Sequence, residues 1–203
     1  MEELIGVAAS SGIAIGKVQL KQKNKLSYTT NKIKEDEIDK EINSLMSSLK
    51  KAIKELEILQ ENARDKMGEE EAEIFAVQVT ILSDPDLLDL IENKIKNDKL
   101  NAAAALAESI EEYVLIFKSM PDEYMRERAA DVRHAGDRVL KILSGSHEES
   151  EALSADSILV AEDLTAADIV NIDTEMVKAI ITREGSKTSH VAIMARSLGI
   201  ARQ

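Results

Sequence analysis

One histidine of this chain lies where a helix is predicted to begin. His190 is part of "GSKTSHVAIMARSLG" (residues 185–199), between a polar loop and an amphipathic helix. The hydroxyl of Thr188 or Ser189 can accept a hydrogen bond from an N–H group of the first helical turn. A helix N-terminus carries partial positive charge and unpaired N–H donors, so it suits an anion such as a phosphoryl group. The same field disfavours a protonated imidazole and leaves a ring nitrogen available as a nucleophile.

The loop before this histidine could also accommodate a bulky anion. Gly185 and Ser186 let the backbone come close to such a group, and Lys187 adds a positive charge. The local pattern leaves open the alternative that His190 is a partly exposed polar residue that takes no part in a reaction. A serine hydrolase fits less well, because adjacent Ser189 and His190 cannot easily face each other and the chain has no G-x-S-x-G motif.

Composition narrows the choice of partners and sites. With 38 acidic and 26 basic residues the formal net charge is −12, which disfavours nucleic acid and anionic membranes and favours a basic partner. There is no cysteine, and His134, His147 and His190 are too far apart in sequence for a typical histidine metal site. A site made only of carboxylates stays open, but nothing in the spacing of the acidic residues calls for one, so we predict no metal. The N-terminus has no signal-peptide pattern and no 18-residue apolar run occurs, so we expect a cytoplasmic protein.

The spacing of apolar residues predicts a helical bundle in the middle of the chain. From Ile38 to Leu59 apolar residues recur with a 4-3-4-3 spacing, which places them on one helical stripe. Further helices are predicted over about 70–82, Pro85–Asn97 and 102–119, and one that opens at Pro121 and stops at Ser144–Gly145.

Both ends of the chain are typical of an α/β layer. Residues 4–20 predict one or two short strands joined by a turn at Ser10–Gly12, and strands are also predicted within 157–164 and 177–185, with a short helix from Thr165 between them. A lone hairpin is only marginally stable, so the N-terminal strands need a sheet to join. We therefore predict an α+β or α/β fold with two domains: a discontinuous α/β domain of residues 1–23 and 146–203, and an inserted helical domain of residues 24–145.

Four segments carry a resemblance to a known family. "GSKTSHVAIMARSLGI" resembles the signature G-G-x-T-S-H-x-A-I-x-A-R of phosphoenolpyruvate-utilising phosphotransferases, in which the histidine is phosphorylated. "GVAASSGIAIGKV", "GEEEAEIFAVQVTILSDPDL" and "DEYMRERAADVRHAGDRVL" are similar, in this order, to the N-terminal part of enzyme I of the bacterial sugar phosphotransferase system. Pyruvate phosphate dikinase and phosphoenolpyruvate synthase share the histidine motif, but they place a nucleotide-binding domain before it. The resemblance spans essentially the whole chain and implies a swivelling phosphohistidine α/β domain with an inserted antiparallel helical bundle.

The resemblance also implies a reaction. His190 would accept a phosphoryl group from phosphoenolpyruvate and pass it to a histidine of the small phosphocarrier protein HPr. The supporting loop would consist of Gly185, Lys187, Thr188 and Ser189. In the family the step with phosphoenolpyruvate needs a magnesium-dependent C-terminal barrel. We expect a C-terminally truncated fragment that holds no cofactor and only exchanges phosphoryl with HPr.

Three positions depart from the family pattern. Ser186 replaces the second glycine of the loop, and Ser11 replaces a proline near the N-terminus. Ile169 falls where the family commonly has a threonine whose hydroxyl could orient the imidazole. These departures leave open a second hypothesis, in which the chain is a non-catalytic helical adaptor that binds HPr or another basic protein.

The helical insert is expected to carry the HPr-binding surface. The predicted helix over 70–82 has two apolar faces, one with Ile74 and Ile81 and the other with Phe75 and Leu82, and acidic residues precede it. A surface with an apolar centre and an acidic rim suits a basic partner, although the same residues could form only the core of the bundle. The resemblance implies the following contact candidates: Glu69, Glu70, Gln78, Ile81, Asp84, Leu87, Phe117, Met120 and Arg128.

Overall fold

The computed structural model describes residues 6–21, 28–146, 154–183, 185 and 189–200. It divides the chain into two compact units. The α/β unit comprises residues 1–24, 61–72 and 149–203, and the helical unit comprises residues 25–60 and 73–148. Among the described residues, no helix combines the length and the apolar character that crossing a membrane would require.

Six helices make up the middle of the chain. They are α1 (Ile38–Met67), α2 (Glu69–Leu82), α3 (Pro85–Asn97), α4 (Ala102–Ser119), α5 (Glu123–Glu127) and α6 (Ala129–Leu143). The apolar stripe of α1 is buried, as its spacing predicts, with Leu45, Ala52 and Leu56 inaccessible to solvent. In the helical unit α4 packs against both α3 and α6.

Local capping explains where several of these helices begin. The Asp84 carboxylate accepts hydrogen bonds from the backbone N–H groups of Asp86 at 2.8 Å and Leu87 at 3.3 Å, so α3 begins at Pro85 as predicted. Asn101 caps α4 in the same way. The predicted break between the first two helices is confirmed at Gly68, whose φ of +111° favours glycine.

The prediction of one continuous helix from Pro121 to 143 is wrong. The helix opens two residues later, because the carboxylate of Asp122 accepts from the Tyr124 N–H at 2.9 Å and makes Asp122 the N-cap of α5. The helical hydrogen-bond pattern is then interrupted at Arg128, although its φ of −63° and ψ of −15° stay in the helical region, and α6 begins at the next residue. The predicted stop at Ser144–Gly145 is confirmed, with Gly145 at a φ of +64°.

A three-stranded parallel sheet organises the α/β unit. Its strands are β1 (Lys17–Lys21), β2 (Ser157–Ala161) and β3 (Val177–Thr182), in the order β1-β2-β3. Between β2 and β3 runs α7 (Ala166–Val170), and α8 (His190–Ser197) follows β3. These elements match the predicted strands and short helices of the C-terminal segment, and they set α7 and α8 against each other.

Of the one or two short strands predicted within residues 4–20, the described part of that segment contains one, β1, and no hairpin. Residues 6–16 contain no strand, and β1 pairs in parallel with β2 instead of with a neighbouring strand. The apolar side chains of Ile13 and Ile15 are exposed. β1 joins the sheet that β2 and β3 of the C-terminal segment form, as the sequence analysis expected.

Candidate functional site

His190 is the first residue of α8, and its side chain is exposed. Ser189 is the N-cap: its Oγ accepts from the Ala192 N–H at 3.3 Å, and its carbonyl accepts from the Ile193 N–H at 3.0 Å. The N–H groups of His190 and Val191 therefore have no acceptor within the helix. An exposed imidazole thus lies beside donors that can bind an anion.

The loop that precedes the histidine is described only at its two ends. Gly185 has a φ of +119°, a conformation that other residues rarely adopt, so the glycine is needed there for its backbone. Ser186, Lys187 and Thr188 lie outside the described residues, so their predicted roles stay predictions.

The apolar side of α8 is anchored mainly by Met194. This side chain is buried, whereas Val191, Ala195 and Leu198 are half-buried. Across the contact with α7, Ile169 is fully buried. The position where the family commonly has a threonine therefore contributes apolar packing and no hydroxyl.

A polar network holds α7 in place. Thr165 and Asp168 form a capping box: Asp168 Oδ2 accepts from the N–H and the hydroxyl of Thr165, each at 2.8 Å. Asp168 Oδ1 is paired with Lys21 Nζ of β1 at 2.5 Å. Burial raises the pKa of Asp168, but the Lys21 ammonium and the Thr165 donors outweigh it, so the pKa lies below its ordinary value. At the other end of α7, Lys66 Nζ donates to the carbonyl of Val170 at 2.8 Å.

The C-terminal half of α8 is tied to the rest of the α/β unit. Arg196 donates to the carbonyl of Ala9 at 3.1 Å, and the Ser197 hydroxyl donates to the Glu71 carboxylate. These tethers leave the end of the helix that carries His190 accessible. The sequence analysis missed Asp168 as a supporting residue, although the T-x-x-D spacing from Thr165 is a recognisable capping signal.

In the described part of the chain, no other histidine is exposed at the first position of a helix. His134 is half-buried on α6, and His147 lies outside the described residues. Within the described ranges, no group of three or more histidine, aspartate or glutamate side chains could hold a metal ion.

The structure separates the partner-contact candidates by exposure. Leu87 is fully buried and Gln78 is 4% exposed, so neither offers surface to a partner in this conformation. Glu69 and Glu70 are exposed, and Glu69 is paired with Arg64 at 2.6 Å and 3.0 Å, which lowers the pKa of Glu69. The remaining candidates are half-buried: Ile81, Asp84, Phe117, Met120 and Arg128.

In addition to capping α3, Asp84 affects the pKa of Tyr113 within the helical unit. Burial raises the pKa of Tyr113, and the negative charges of Asp84 and Asp86 raise it further. The second apolar strip of α2 consists of Phe75, Val79 and Leu82, of which Phe75 and Leu82 are buried and Val79 is half-buried. The burial of Leu82 and Gln78 shows that much of α2 belongs to the core of the bundle.

An apolar patch at the corner of α4 and α5 remains open to solvent. We define the α4–α5 patch as Ile116, Phe117, Met120, Tyr124 and Met125. Ile116 is 50% and Tyr124 58% exposed, and Ile116, Tyr124 and Met125 were not among the contact candidates of the sequence analysis. Periodicity within one helix could not show this exposure, because Ile116 lies on α4 whereas Tyr124 and Met125 lie on α5.

Tyr124 of this patch is in contact with Arg128. The guanidinium carbon lies 4.6 Å from the ring centroid, and Nη2 donates to the Tyr124 hydroxyl. Arg128 Nη1 donates to Asp131 Oδ2 at 3.1 Å. The Arg128 side chain is 13% exposed and the Asp131 side chain 4%.

Comparisons with known proteins find matches to family models for two segments of the chain. Residues 5–128 match the N-terminal domain of PEP-utilising enzymes, and residues 153–201 match the mobile domain of PEP-utilising enzymes. The chain is 42% identical over 200 residues to a phosphoenolpyruvate-protein phosphotransferase of Priestia megaterium and 40% identical over 201 residues to one of Bacillus subtilis (strain 168). Each match covers 98% of this chain but 35% of the relative, so the chain spans about a third of the length of these curated relatives.

Solved structures agree with this placement. An NMR solution structure of Enzyme I (nEIt) is 40% identical with a TM-score of 0.79, and the match covers 96% of this chain and 79% of that one. The N-terminal domain of Enzyme 1 - Nitrogen is 26% identical with a TM-score of 0.67, and the match covers 95% and 79% of the two chains. The chain therefore belongs to the family of PEP-utilising enzymes, in which it carries the N-terminal domain and matches the mobile domain.

Proposed function

We propose that this chain transfers a phosphoryl group through His190 in a phosphoenolpyruvate-protein phosphotransferase, a cytoplasmic enzyme. One observation carries the proposal: in a member of this family, an exposed histidine is the first residue of α8, at the end of the helix where N–H groups point outward. A ring nitrogen of His190 attacks phosphorus, the N–P bond forms, and the leaving group departs with the bonding electron pair.

The residues around His190 have complementary tasks in this step. The N–H groups of His190 and Val191 donate to phosphoryl oxygens, which carry the negative charge. Ser189 fixes the first turn, and Gly185 provides the backbone conformation that brings the loop to the helix. Lys187 and Thr188 complete the supporting loop in this proposal, and the Lys187 ammonium balances part of the phosphoryl charge.

We infer that the acceptor is HPr and that the original donor is phosphoenolpyruvate. The relatives are named phosphoenolpyruvate-protein phosphotransferases and are about three times as long as this chain. Loading from phosphoenolpyruvate, with magnesium, is assigned to the C-terminal barrel of the complete enzyme. The 203-residue chain by itself exchanges phosphoryl with HPr in both directions.

The proposed domain arrangement assigns one task to each part. Residues 1–23 and 146–203 form the swivelling phosphohistidine domain, and residues 24–145 form an inserted antiparallel bundle that binds HPr. We place the docking surface on the α4–α5 patch because it is apolar and open, and because exposed Asp122, Glu123 and Glu127 lie beside it in sequence. The acidic first turn of α2, with Glu69 and Glu70, attracts the basic partner over a longer distance.

The test is phosphoryl transfer from HPr that carries a labelled phosphohistidine. We expect the label to appear on the chain in an acid-labile form, because phosphohistidine is hydrolysed by acid. His190→Ala abolishes the transfer, whereas the matched control His134→Ala, on the half-buried side of α6, retains it. Label that persists on the His190→Ala variant would refute the assignment.

A non-catalytic adaptor is the second candidate, and the burial of Ile169 favours it. This position provides no hydroxyl for the imidazole, since its side chain is apolar and fully buried. The adaptor binds HPr, or another basic protein, but takes up no phosphate. Calorimetric titration with HPr beside the labelling experiment separates the two: binding with transfer supports the enzyme, and binding without transfer supports the adaptor.

A further inference from the structure

The junction of α5 and α6 contains a charged cluster that docking alone does not explain. The Asp131 carboxylate, 4% exposed, has Arg128 as its partner at 3.1 Å. A buried carboxylate without a cation would be strongly destabilising. Arg128 is therefore bound to the interior of the bundle before any partner arrives.

The other side of the same guanidinium supports an exposed aromatic ring. The Arg128 guanidinium covers one face of the Tyr124 ring at 4.6 Å from the centroid, and Nη2 binds the hydroxyl. Tyr124 itself is 58% exposed. The contact restrains both torsions of the tyrosine side chain, because the ring face and the hydroxyl are held by one planar group.

We propose that Arg128 acts on partner docking through Tyr124: held by Asp131, it is a positioning residue that presents the Tyr124 ring as an anchor of the α4–α5 patch. This inference rests on the proposed function, because it takes HPr as the partner. Aromatic residues that are rigid before binding contribute strongly to affinity, since little side-chain freedom is lost when the partner docks.

The exposed fractions of the two side chains support a role in which Arg128 acts through Tyr124 and does not itself contact HPr. The Arg128 side chain is 13% exposed and both of its terminal nitrogens already have partners, so little of it remains for another protein to touch. Tyr124 has most of its surface free. A direct contact and a positioning role make different predictions when both residues are changed together.

A double-mutant cycle with HPr tests the proposal. We expect Tyr124→Ala to raise the dissociation constant of the complex with HPr about tenfold, as for a moderate aromatic anchor. Because Arg128→Met leaves Asp131 unpaired, the cycle uses the pair Arg128→Met with Asp131→Leu, which removes both buried charges at similar volume. This pair is expected to weaken binding severalfold in the normal background and not at all in the Tyr124→Ala background. An equal loss in both backgrounds would show a direct contact of Arg128 and overturn the proposal.

A second readout is independent of HPr. The chain has three tyrosines and no tryptophan, so ring-labelled tyrosine gives three resolvable sets of NMR signals. In the Arg128→Met, Asp131→Leu variant the ring signals of Tyr124 should shift and average, while those of Tyr113 stay in place and show that the bundle is folded. Unchanged Tyr124 signals would overturn the positioning role. If the unmodified chain binds no HPr, the proposed function and the docking part of this inference both fail, and the NMR comparison still decides whether Arg128 positions the ring.

Discussion

Replacement of Asp168 by asparagine should loosen α7, the helix against which α8 packs. The carboxylate accepts from the Thr165 N–H and hydroxyl at 2.8 Å with one oxygen and from Lys21 Nζ at 2.5 Å with the other. Asparagine has one acceptor oxygen, so when it faces Thr165 its NH₂ group faces the ammonium, donor against donor. A hydrogen bond to a charged group contributes about 1.5–3 kcal/mol, and we take the lower end because Lys21 is 39% exposed. About 1.5 kcal/mol corresponds to about a tenfold larger opening constant.

The effect should depend on pH with a definite sign. Burial raises the pKa of Asp168, but the Lys21 ammonium and the Thr165 donors lower it further, so the folded value lies below the ordinary 3.8. A carboxyl group with a lowered pKa stabilises the fold above its unfolded pKa, and this contribution is lost as the pH falls through the folded value. The difference between the chain and its Asp168→Asn variant should therefore be full near neutral pH and shrink below about pH 4.

Amide hydrogen exchange is the appropriate assay, because two compact units need not unfold in one transition. The N–H groups of Ile169 and Asn171 are bonded within the α7 region at 3.3 Å and 3.2 Å, and their exchange reports its opening. At each pH the exchange rate of an amide in the variant is divided by the rate of the same amide in the unmodified chain. This ratio largely cancels the intrinsic exchange rate, which itself changes with pH. Glu162→Gln is the control, since its ion pair is exposed on both sides. An Asp168→Asn effect that is absent near neutral pH, or undiminished below pH 4, would refute the reasoning.

Three further predictions concern packing, capping and charge. Gly136→Ala should destabilise the helical unit by about 1–3 kcal/mol although alanine favours helices, because the added carbon would lie 2.5 Å from the Ile110 side chain; thermal unfolding followed by circular dichroism checks this. Ser189→Ala should cost α8 about 1 kcal/mol and slow phosphoryl uptake from HPr, and an unchanged uptake rate would contradict the role of the cap. Glu70→Lys should slow HPr association and flatten its salt dependence more than Glu57→Lys, an identical charge change on α1, and stopped-flow rates from low to physiological salt test whether position matters.

The helix limits were predictable where the signals are local. Asp84 before a proline and Asn101 before an alanine run each provide a side-chain acceptor for the first turn, so the bounds of α3 and α4 follow from a few neighbouring residues. The interruption at Arg128 has no glycine or proline to mark it. It accompanies contacts of the guanidinium with Asp131 and Tyr124, three and four residues away, and such spacings occur equally in an uninterrupted helix, so they do not mark a break.

Long-range partners explain most of what the sequence analysis missed. The ion pair of Lys21 and Asp168 joins residues 147 positions apart, so no local pattern marks it. The N-terminal strand was expected to join a sheet, but its partner β2 and the parallel register are equally distant in sequence and could not be read from local residues. The family resemblance implied Leu87 and Met120 equally as contact candidates, but it could not distinguish the buried Leu87 from the half-buried Met120. The position of His190 at the start of α8 was predictable because the helix signal and the cap adjoin it.

The most direct test of the account is to locate the phosphate itself. The chain is incubated with phosphorylated HPr, kept at alkaline pH to preserve a phosphohistidine, digested, and analysed by tandem mass spectrometry. The account predicts one phosphoryl group, on His190, in the peptide that contains α8. Phosphate on His134, on His147 or on a hydroxyl residue, or no phosphate while the same HPr phosphorylates a related enzyme, would contradict it.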